Sequence, residues 1–258
     1  MSRPEPVEEL ILALPAYNEA AGIGDLLTRA ADVLSGEGLP WRILVVDDGS
    51  TDGTARLVTE FAAERPGIEL LRHDANRGLG PAILTGLKRA LLLTEGRVAL
   101  VITMDADLTH PPETIPLMRR AADAGADVVI ASRYQPGSRV IGLSRPRRFL
   151  SSAARRVFGL LLPMPGVEDY TCGFRAVRSS WLRRAWEHYG PEGLITRRGF
   201  ACTDELLVKL FLLGPVIQEV PFMLRYDLKR GRSKIRLATT TLETLRLIHW
   251  ARRQRRRR

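Results

Sequence analysis

Short apolar runs that close on polar clusters recur through the first half of the chain, and they limit the possible folds more than any other feature. "ELILALP" (9–15) leads into "AYNE", "WRILVVDD" (41–48) into "GSTDGT", "RVALVITMDAD" (97–107) into "LTHPPE", and "ADVVIASRY" (126–134) ends on Arg133 and Tyr134. "GIELLRH" (67–73) is a fifth such run. Between them apolar residues repeat at helical spacing: about 20–34, "TARLVTEFAAE" (54–64), "GLGPAILTGLKRALLL" (78–93) and "PETIPLMRRAADA" (112–124). Continuous apolar runs predict strands buried on both faces, and strand–helix alternation predicts parallel neighbours joined by right-handed crossovers. The expected fold is α/β and Rossmann-like, with a mostly parallel central sheet flanked by helices. Ligands of such sheets bind beyond the carboxyl ends of the strands, and four polar motifs fall there.

The second half is less regular. "RPRRFLSSAARRVFGLLLP" (145–163) reads as a basic amphipathic helix, "VEDYTCGFRAVR" (167–178) as a turn into a short strand, "CTDELLVKLFLLG" (202–214) as a helix and "PVIQEVPFMLRY" (215–226) as strand-like. "LKRGRSK" (228–234) is a basic loop, and a last helix begins near "ATTTLETLRLIHW". No internal repeat appears. The expected division is a catalytic domain over 1–236 and a C-terminal amphipathic helix with an Arg-rich tail over 237–258.

At 258 residues and 45% hydrophobic, the chain can bury a large core. No 18-residue apolar run suggests a membrane span, and the first residues lack a signal-peptide pattern. Cys172 and Cys202 form neither a disulfide framework nor a zinc motif. A cytoplasmic setting is expected. Net charge is +10; six arginines in "ARRQRRRR" (251–258) account for part of it and leave +4 without them. Such a body suits anionic partners.

Asp105 and Asp107 share a face if the strand persists that far, since strand side chains have a period of two. Their like charges are offset by a divalent cation or by a shared proton; oxygen ligands favour Mg²⁺ or Mn²⁺. In "VVDDGSTDGT", Asp47 or Asp48 can accept bonds from a base or a ribose, and Thr51 or Asp52 can cap the next helix. Gly78 and Gly80 lack the dinucleotide and P-loop patterns and read as allowing close packing.

Together, "LPAYNE", "VVDDGSTDGT", "NRGLGPAILTGL", "MDADLTHPPE", "SRY" and "CGFRA" resemble family 2 glycosyltransferases, and within them the dolichyl- and polyprenyl-phosphate mannose synthases. The likeness covers roughly residues 9–236. It implies a GT-A fold, a nucleotide-sugar donor (GDP-mannose first, UDP-glucose or UDP-N-acetylglucosamine behind it) and Mg²⁺ or Mn²⁺. Carried over, Pro15, Tyr17, Glu19 and Asp47 or Asp48 line the nucleoside pocket. Asp105, Ala106 and Asp107 meet the diphosphate, with both aspartates on the metal. Arg133, Arg225 and Lys234 reach the donor. Arg147, Ser151 and Arg175 receive the acceptor phosphate. Two departures stand out: Thr109 replaces a glutamine, and Leu228 replaces an arginine, leaving Arg225, Lys229 and Arg230 as nearby cations.

The implied reaction is inverting transfer of a hexose to a polyprenyl or dolichyl phosphate. Such an acceptor is already ionised and needs no strong base; a sugar hydroxyl would need one, and Asp204 or Glu205 are the candidates, with helix N-terminal charge as their other reading. A chain with no transmembrane tail is expected to meet lipid peripherally, on the cytoplasmic face of an anionic membrane, through the basic helix at 145–163 and the C-terminal helix; a separate membrane-protein partner is a further expectation. A UDP-sugar donor or a soluble acceptor is the alternative within the family. Nucleic-acid binding suits the charge but leaves the acidic strand ends unexplained, because carboxylates repel phosphates.

Overall fold

The computed structural model describes residues 5–230 and 237–255. In chain order the elements are β1 (Glu9–Ala16), α1 (Ile23–Gly36), β2 (Trp41–Asp47), α2 (Thr54–Glu64), β3 (Ile68–Arg72), α3 (Leu79–Leu93), β4 (Ala99–Thr103), α4 (Ile115–Asp123), β5 (Val128–Ser132), β6 (Arg139–Ile141), α5 (Arg145–Leu161), β7 (Arg175–Arg178), α6 (Ser179–Tyr189), α7 (Ala201–Leu213), β8 (Ile217–Pro221), β9 (Met223–Arg225) and α8 (Leu237–Arg255). One 3-10 turn, Pro112–Thr114, precedes α4, and another, Tyr226–Leu228, follows β9.

Seven strands form the main sheet in the order β3-β2-β1-β4-β7-β5-β8. The expected α/β class and mostly parallel sheet are observed. All pairings in it are parallel except those of β7, which runs antiparallel to both β4 and β5. A second, two-stranded sheet pairs β6 with β9 in parallel. The continuous apolar runs behave as expected of doubly covered strands: Leu10, Ile11, Leu12, Leu14, Ile43, Leu44 and Ile102 are fully buried. The inversion of β7 matters for function. It brings the start of β7 and the "TCGF" turn before it to the edge where β1, β2, β4 and β5 end. Thr103 Oγ1 donates to the Gly173 carbonyl at 3.0 Å and ties that turn to the end of β4.

Helix α7 is buried around most of its circumference, with Leu206, Leu207, Val208 and Leu210 in the core. Helix α8 packs on α7 and α5 and buries Leu247, Ile248 and Ala251; its apolar stripe is part of the core rather than an appendage. Gly80 shows why α3 can approach so closely. Its N–H donates to the Arg198 carbonyl at 3.1 Å, and a β-carbon there would lie 1.8 Å from the Arg197 carbonyl oxygen. The two glycines therefore serve close packing against 197–198. Helix α6 was not expected from the sequence, and α1 starts three residues later than the helical spacing suggested. The backbone N–H groups of Asn18, Glu19 and Ala20 are instead taken by Ser50 Oγ, Thr54 Oγ1 and Asp52 Oδ2.

Candidate active site

Two loops are laced together beyond β1 and β2. Asn18, in the left-handed region at φ 52°, accepts the Thr51 N–H on its side-chain oxygen at 2.8 Å. Asp52 is the helix-side acceptor: it receives the Thr54 N–H at 2.9 Å, and its hydrogen bonds keep the carboxyl below the usual range despite burial. Pro15, Tyr17 and Glu19 are half-buried along the same rim.

Asp47, the last residue of β2, is fully buried. Its Oδ1 accepts the Ser50 N–H at 3.0 Å, while Oδ2 has no hydrogen-bond partner and lies 3.4 Å from Arg72 Nε. A buried carboxylate oxygen without a donor is costly unless a ligand supplies one. Asp48 behaves differently. One oxygen faces His73 Nδ1 at 2.7 Å and the Arg77 N–H at 2.9 Å, and the other takes the Gly78 N–H at 2.8 Å. Asp48 thus anchors the "NRGLG" loop, with both oxygens taken where a nucleotide-facing role was expected, whereas Asp47 keeps one oxygen without a donor.

Beyond β4 the two aspartates are placed by a loop and not by the strand. The strand ends at Thr103, so the period of two does not align Asp105 with Asp107. A loop does, turned by Leu108, which adopts φ 66° with its side chain buried against Gly22. The Asp105 N–H donates to His110 Nδ1 at 3.2 Å, which implies that the neutral ring carries its proton on Nε2. The imidazole stacks on Phe174 with centroids 5.3 Å apart and meets Phe222 edge-on. Thr109, the residue at the glutamine position, donates both its N–H (3.1 Å) and its hydroxyl (2.6 Å) to Asp107 Oδ1. It orients Asp107 instead of offering itself as a third ligand. Lys229 Nζ donates to the other oxygen, Oδ2.

The electrostatics of the pair follow. Burial, reinforced by the like charge of Asp107, pushes the Asp105 carboxyl up against the pull of Lys229. Burial also opposes ionisation of Asp107, but the Lys229 ammonium and the Thr109 hydroxyl hold it below the usual carboxylate range. Among the described residues no three His, Cys, Asp or Glu side chains group as a metal cage. Two carboxylates with hard oxygen donors do suit a Mg²⁺ or Mn²⁺ completed by substrate phosphate oxygens.

Several candidate cations are committed elsewhere. Arg133, expected on the donor phosphates, forms a bidentate pair with buried Asp169, Nε at 2.7 Å and Nη2 at 2.5 Å, and also donates to Thr171 Oγ1 at 2.7 Å. Burial disfavours both charges, yet each partner holds the other ionised. Arg175, expected at the acceptor phosphate, is buried in β7 between β4 and β5. Its Nη1 donates to the Thr203 carbonyl and its Nη2 to that of Tyr170 at 2.7 Å. Arg225 is paired with Asp227 at 2.8 Å. In this structure each of these three, Arg133, Arg175 and Arg225, is held by protein partners where a ligand-facing role was expected. Ser151 remains at the rim, its hydroxyl 2.8 Å from that of Tyr134, whose ring lies under Arg155 at 4.5 Å. Lys234 and the side chain of Arg147 lie outside the described residues.

The two candidate bases separate cleanly. Glu205 takes the Thr196 hydroxyl at 2.7 Å, Lys209 Nζ at 2.6 Å, Arg197 Nη1 at 3.0 Å and the N–H groups of Thr196 and Arg197. Burial opposes its charge, but these donors hold it below the usual range, so the residue expected as a base is engaged by five protein donors in this structure. Asp204 is pushed up to about 6 by burial, against the attraction of Arg175; Thr244 of α8 donates to its Oδ2 at 3.0 Å. Both buried thiols are pushed up by burial, Cys172 to about 12, which makes them inert. The sequence offers Lys229 only as one of several nearby cations and gives no role to His110 or Asp169. "HPPE", "LKR" and "VED" held them in view, but nothing in the sequence marks their partners.

The profile of the family described as Glycosyl transferase family 2 matches residues 12–186. The chain is 34% identical over 237 residues to a dolichol-phosphate mannosyltransferase of Pyrococcus furiosus, covering 92% of this chain and 61% of that protein. It is 31% identical over 217 residues to a polyprenol monophosphomannose synthase of Mycolicibacterium smegmatis, covering 84% of this chain and 77% of that protein. Among solved structures, glucosyl-3-phosphoglycerate synthase from Mycobacterium tuberculosis, in complex with Mn²⁺, uridine diphosphate and phosphoglyceric acid, superposes with a TM-score of 0.66. Its identity is 21%, with 95% of this chain and 78% of that chain covered.

Proposed function

Because the chain belongs to glycosyl transferase family 2 and has the GT-A fold of that family, we propose that this glycosyltransferase moves a hexose from a nucleotide-sugar, GDP-mannose first, to a polyprenyl or dolichyl phosphate. The observation that carries this reading is the shared sheet edge. Asp47, with one buried oxygen lacking a donor, ends β2, and the Asp105–Asp107 pair follows β4; the two strands flank β1 in register, Ala16 pairing with Asp47 and Ala13 with Thr103. A base or ribose donor on Asp47 and a diphosphate near Asp105 and Asp107 would lie along that edge. The lipid-phosphate acceptor is supported by the names of the relatives.

Asp105 and Asp107 would hold Mg²⁺ or Mn²⁺, whose charge would stabilise the leaving diphosphate. The chain's own residues supply position. Thr109 and the Asp105 N–H···His110 bond fix the two carboxylates, and Ser151 with Tyr134 and Arg155 outlines a rim where an acceptor phosphate could dock. A phosphate oxygen then attacks the anomeric carbon as the bond to the diphosphate breaks on the opposite face, giving inversion. Orientation and charge stabilisation suffice for this, because the nucleophile is already anionic.

The anionic membrane surface belongs to the same proposal. No helix among the described residues is long and apolar enough to cross a bilayer. Between α5 and α8 lies a cleft of about 320 Å³ lined by Leu161, Leu245, Ile248, His249, Arg252 and Arg253. Leu160 beside it is 82% exposed. Apolar side chains next to arginines suit an acidic bilayer, at roughly 1 kcal/mol per cation near the surface.

A panel of labelled GDP- and UDP-sugars with polyprenyl phosphate and Mn²⁺ tests the reading. Label should enter the organic phase from one donor. Product that stays aqueous with every donor would favour a soluble acceptor instead.

A further inference from the structure

The segment after β9 is strapped across the mouth of the site. The Arg225 N–H donates to the Thr109 carbonyl at 2.9 Å, so the strap starts from the loop that carries the two aspartates. The 3-10 turn Tyr226–Leu228 is seated on Gly142, at φ 77°, where a β-carbon would lie 2.5 Å from the Asp227 nitrogen. Lys229 then turns inward onto Asp107 Oδ2. Arg230 reaches across to α1, donating to the Ala21 carbonyl and lying 3.2 Å from Asp25. Leu228 and Arg230 also line a cleft of about 400 Å³ with Asp25, Thr28, Arg29 and Leu108. The strap is thus tethered to the aspartate loop at one end and to α1 at the other, with its one inward cation on Asp107.

The two oxygens of Asp107 are not equivalent. Oδ1 is saturated by the N–H and hydroxyl of Thr109. Oδ2 is therefore the oxygen on which a divalent cation would draw, and Lys229 already holds it. A single carboxylate oxygen in a half-buried site does not accommodate an ammonium and a divalent ion together, because the two cations repel at contact distance. We propose that Lys229 is a built-in counter-ion of Asp107 that competes with the divalent cation for Oδ2, so that cation loading and release of the 226–230 strap are one exchange. The freed ammonium would then be available to the entering diphosphate. This rests on the metal reading above and adds to it a competitor and an order of events: cation and donor enter as the strap leaves.

Competition lowers apparent affinity by the fraction of time the site is free. If Lys229 holds Oδ2 about nine-tenths of the time, Lys229→Met should tighten Mn²⁺ binding about tenfold, read by electron paramagnetic resonance of free Mn²⁺ without donor or acceptor. Arg230→Gln, which removes the α1 tether and keeps the lysine, should shift affinity the same way by less. In the wild-type protein, Mn²⁺ with a nucleoside diphosphate should raise hydrogen exchange at 226–230. A K229M protein that keeps its circular dichroism but binds Mn²⁺ no more tightly than wild type would overturn the exchange and leave the metal reading standing. A wild type and a K229M protein that both bind no Mn²⁺ would remove both. If K229M does not fold, unchanged exchange at 226–230 in the wild type overturns the proposal by itself.

Discussion

Asp169 illustrates how one residue can matter without touching substrate. Its carboxylate is fully buried and fixes Arg133 through two short bonds while accepting the Arg133 N–H at 2.9 Å. Removing one partner of such a pair strands the other, a cost of about 3 kcal/mol or more. Asp169→Asn should lower stability by that order at pH 7 in urea unfolding. The sign with pH is fixed by the direction of the shift. The folded carboxyl is held below its ordinary 3.8, so its contribution is fully present above about pH 4 and is lost as pH falls through the depressed value. The gap between wild type and D169N should therefore close in acid. Asp204 gives a second test. With a phosphate acceptor, Asp204→Asn should keep kcat within about tenfold; a general base would cost 10²–10⁴. Of the residues at the candidate site, Asp105, Asp107 and Asp47 were legible in the sequence because carboxylates at strand ends are unusual in themselves. Lys229 and Asp107 are separated by 122 positions, and no local pattern reveals such a pairing. Arg133, Arg175 and Glu205 were legible as charged groups near the edge, but their partners decide their roles, and those partners come from the fold.

At the level of elements, apolar runs located the strands well, since burial on both faces leaves little room for polar residues. The run at 97–107 was read too long. Its last four residues continue the strand's direction in sequence but leave the sheet after Thr103, where His110, Thr109 and a left-handed Leu108 take over. Strand β7 was visible as a short strand but not as an antiparallel insertion. Its four residues carry arginines at both ends, and the buried Arg178 is satisfied by the carbonyls of Ala126, Ala122 and Glu5, a solution no residue pattern announces. The α3 glycines allow a test at this scale. Gly80→Ala gains roughly 1 kcal/mol of helix propensity but drives a β-carbon into a backbone oxygen at 1.8 Å. Overpacking costs about 1–3 kcal/mol, and here the obstacle is backbone, so a net loss is expected in urea unfolding. A neutral or stabilising G80A would mean that the 197–198 segment yields easily.

Across the whole molecule, the acidic strand ends and the proposed membrane-docking face occupy different surfaces. The carboxylates cluster at the carboxyl edge of the sheet, while exposed leucines and arginines gather where α5 and α8 meet. Helix α8 links the two, burying Ile248 and donating from Thr244 to Asp204. Replacing both Leu160 and Leu245 by glutamate should cut flotation with vesicles rich in anionic lipid several-fold and leave Mn²⁺ affinity unchanged; unaltered flotation would move the docking surface elsewhere. Transfer to a phosphate with inversion is written most directly in the structure of the product. Two-dimensional ¹H–³¹P nuclear magnetic resonance of the purified product should give coupling between the sugar anomeric proton and a phosphodiester phosphorus, with anomeric configuration opposite to that of the donor. An anomeric proton without phosphorus coupling, or a retained configuration, would contradict it.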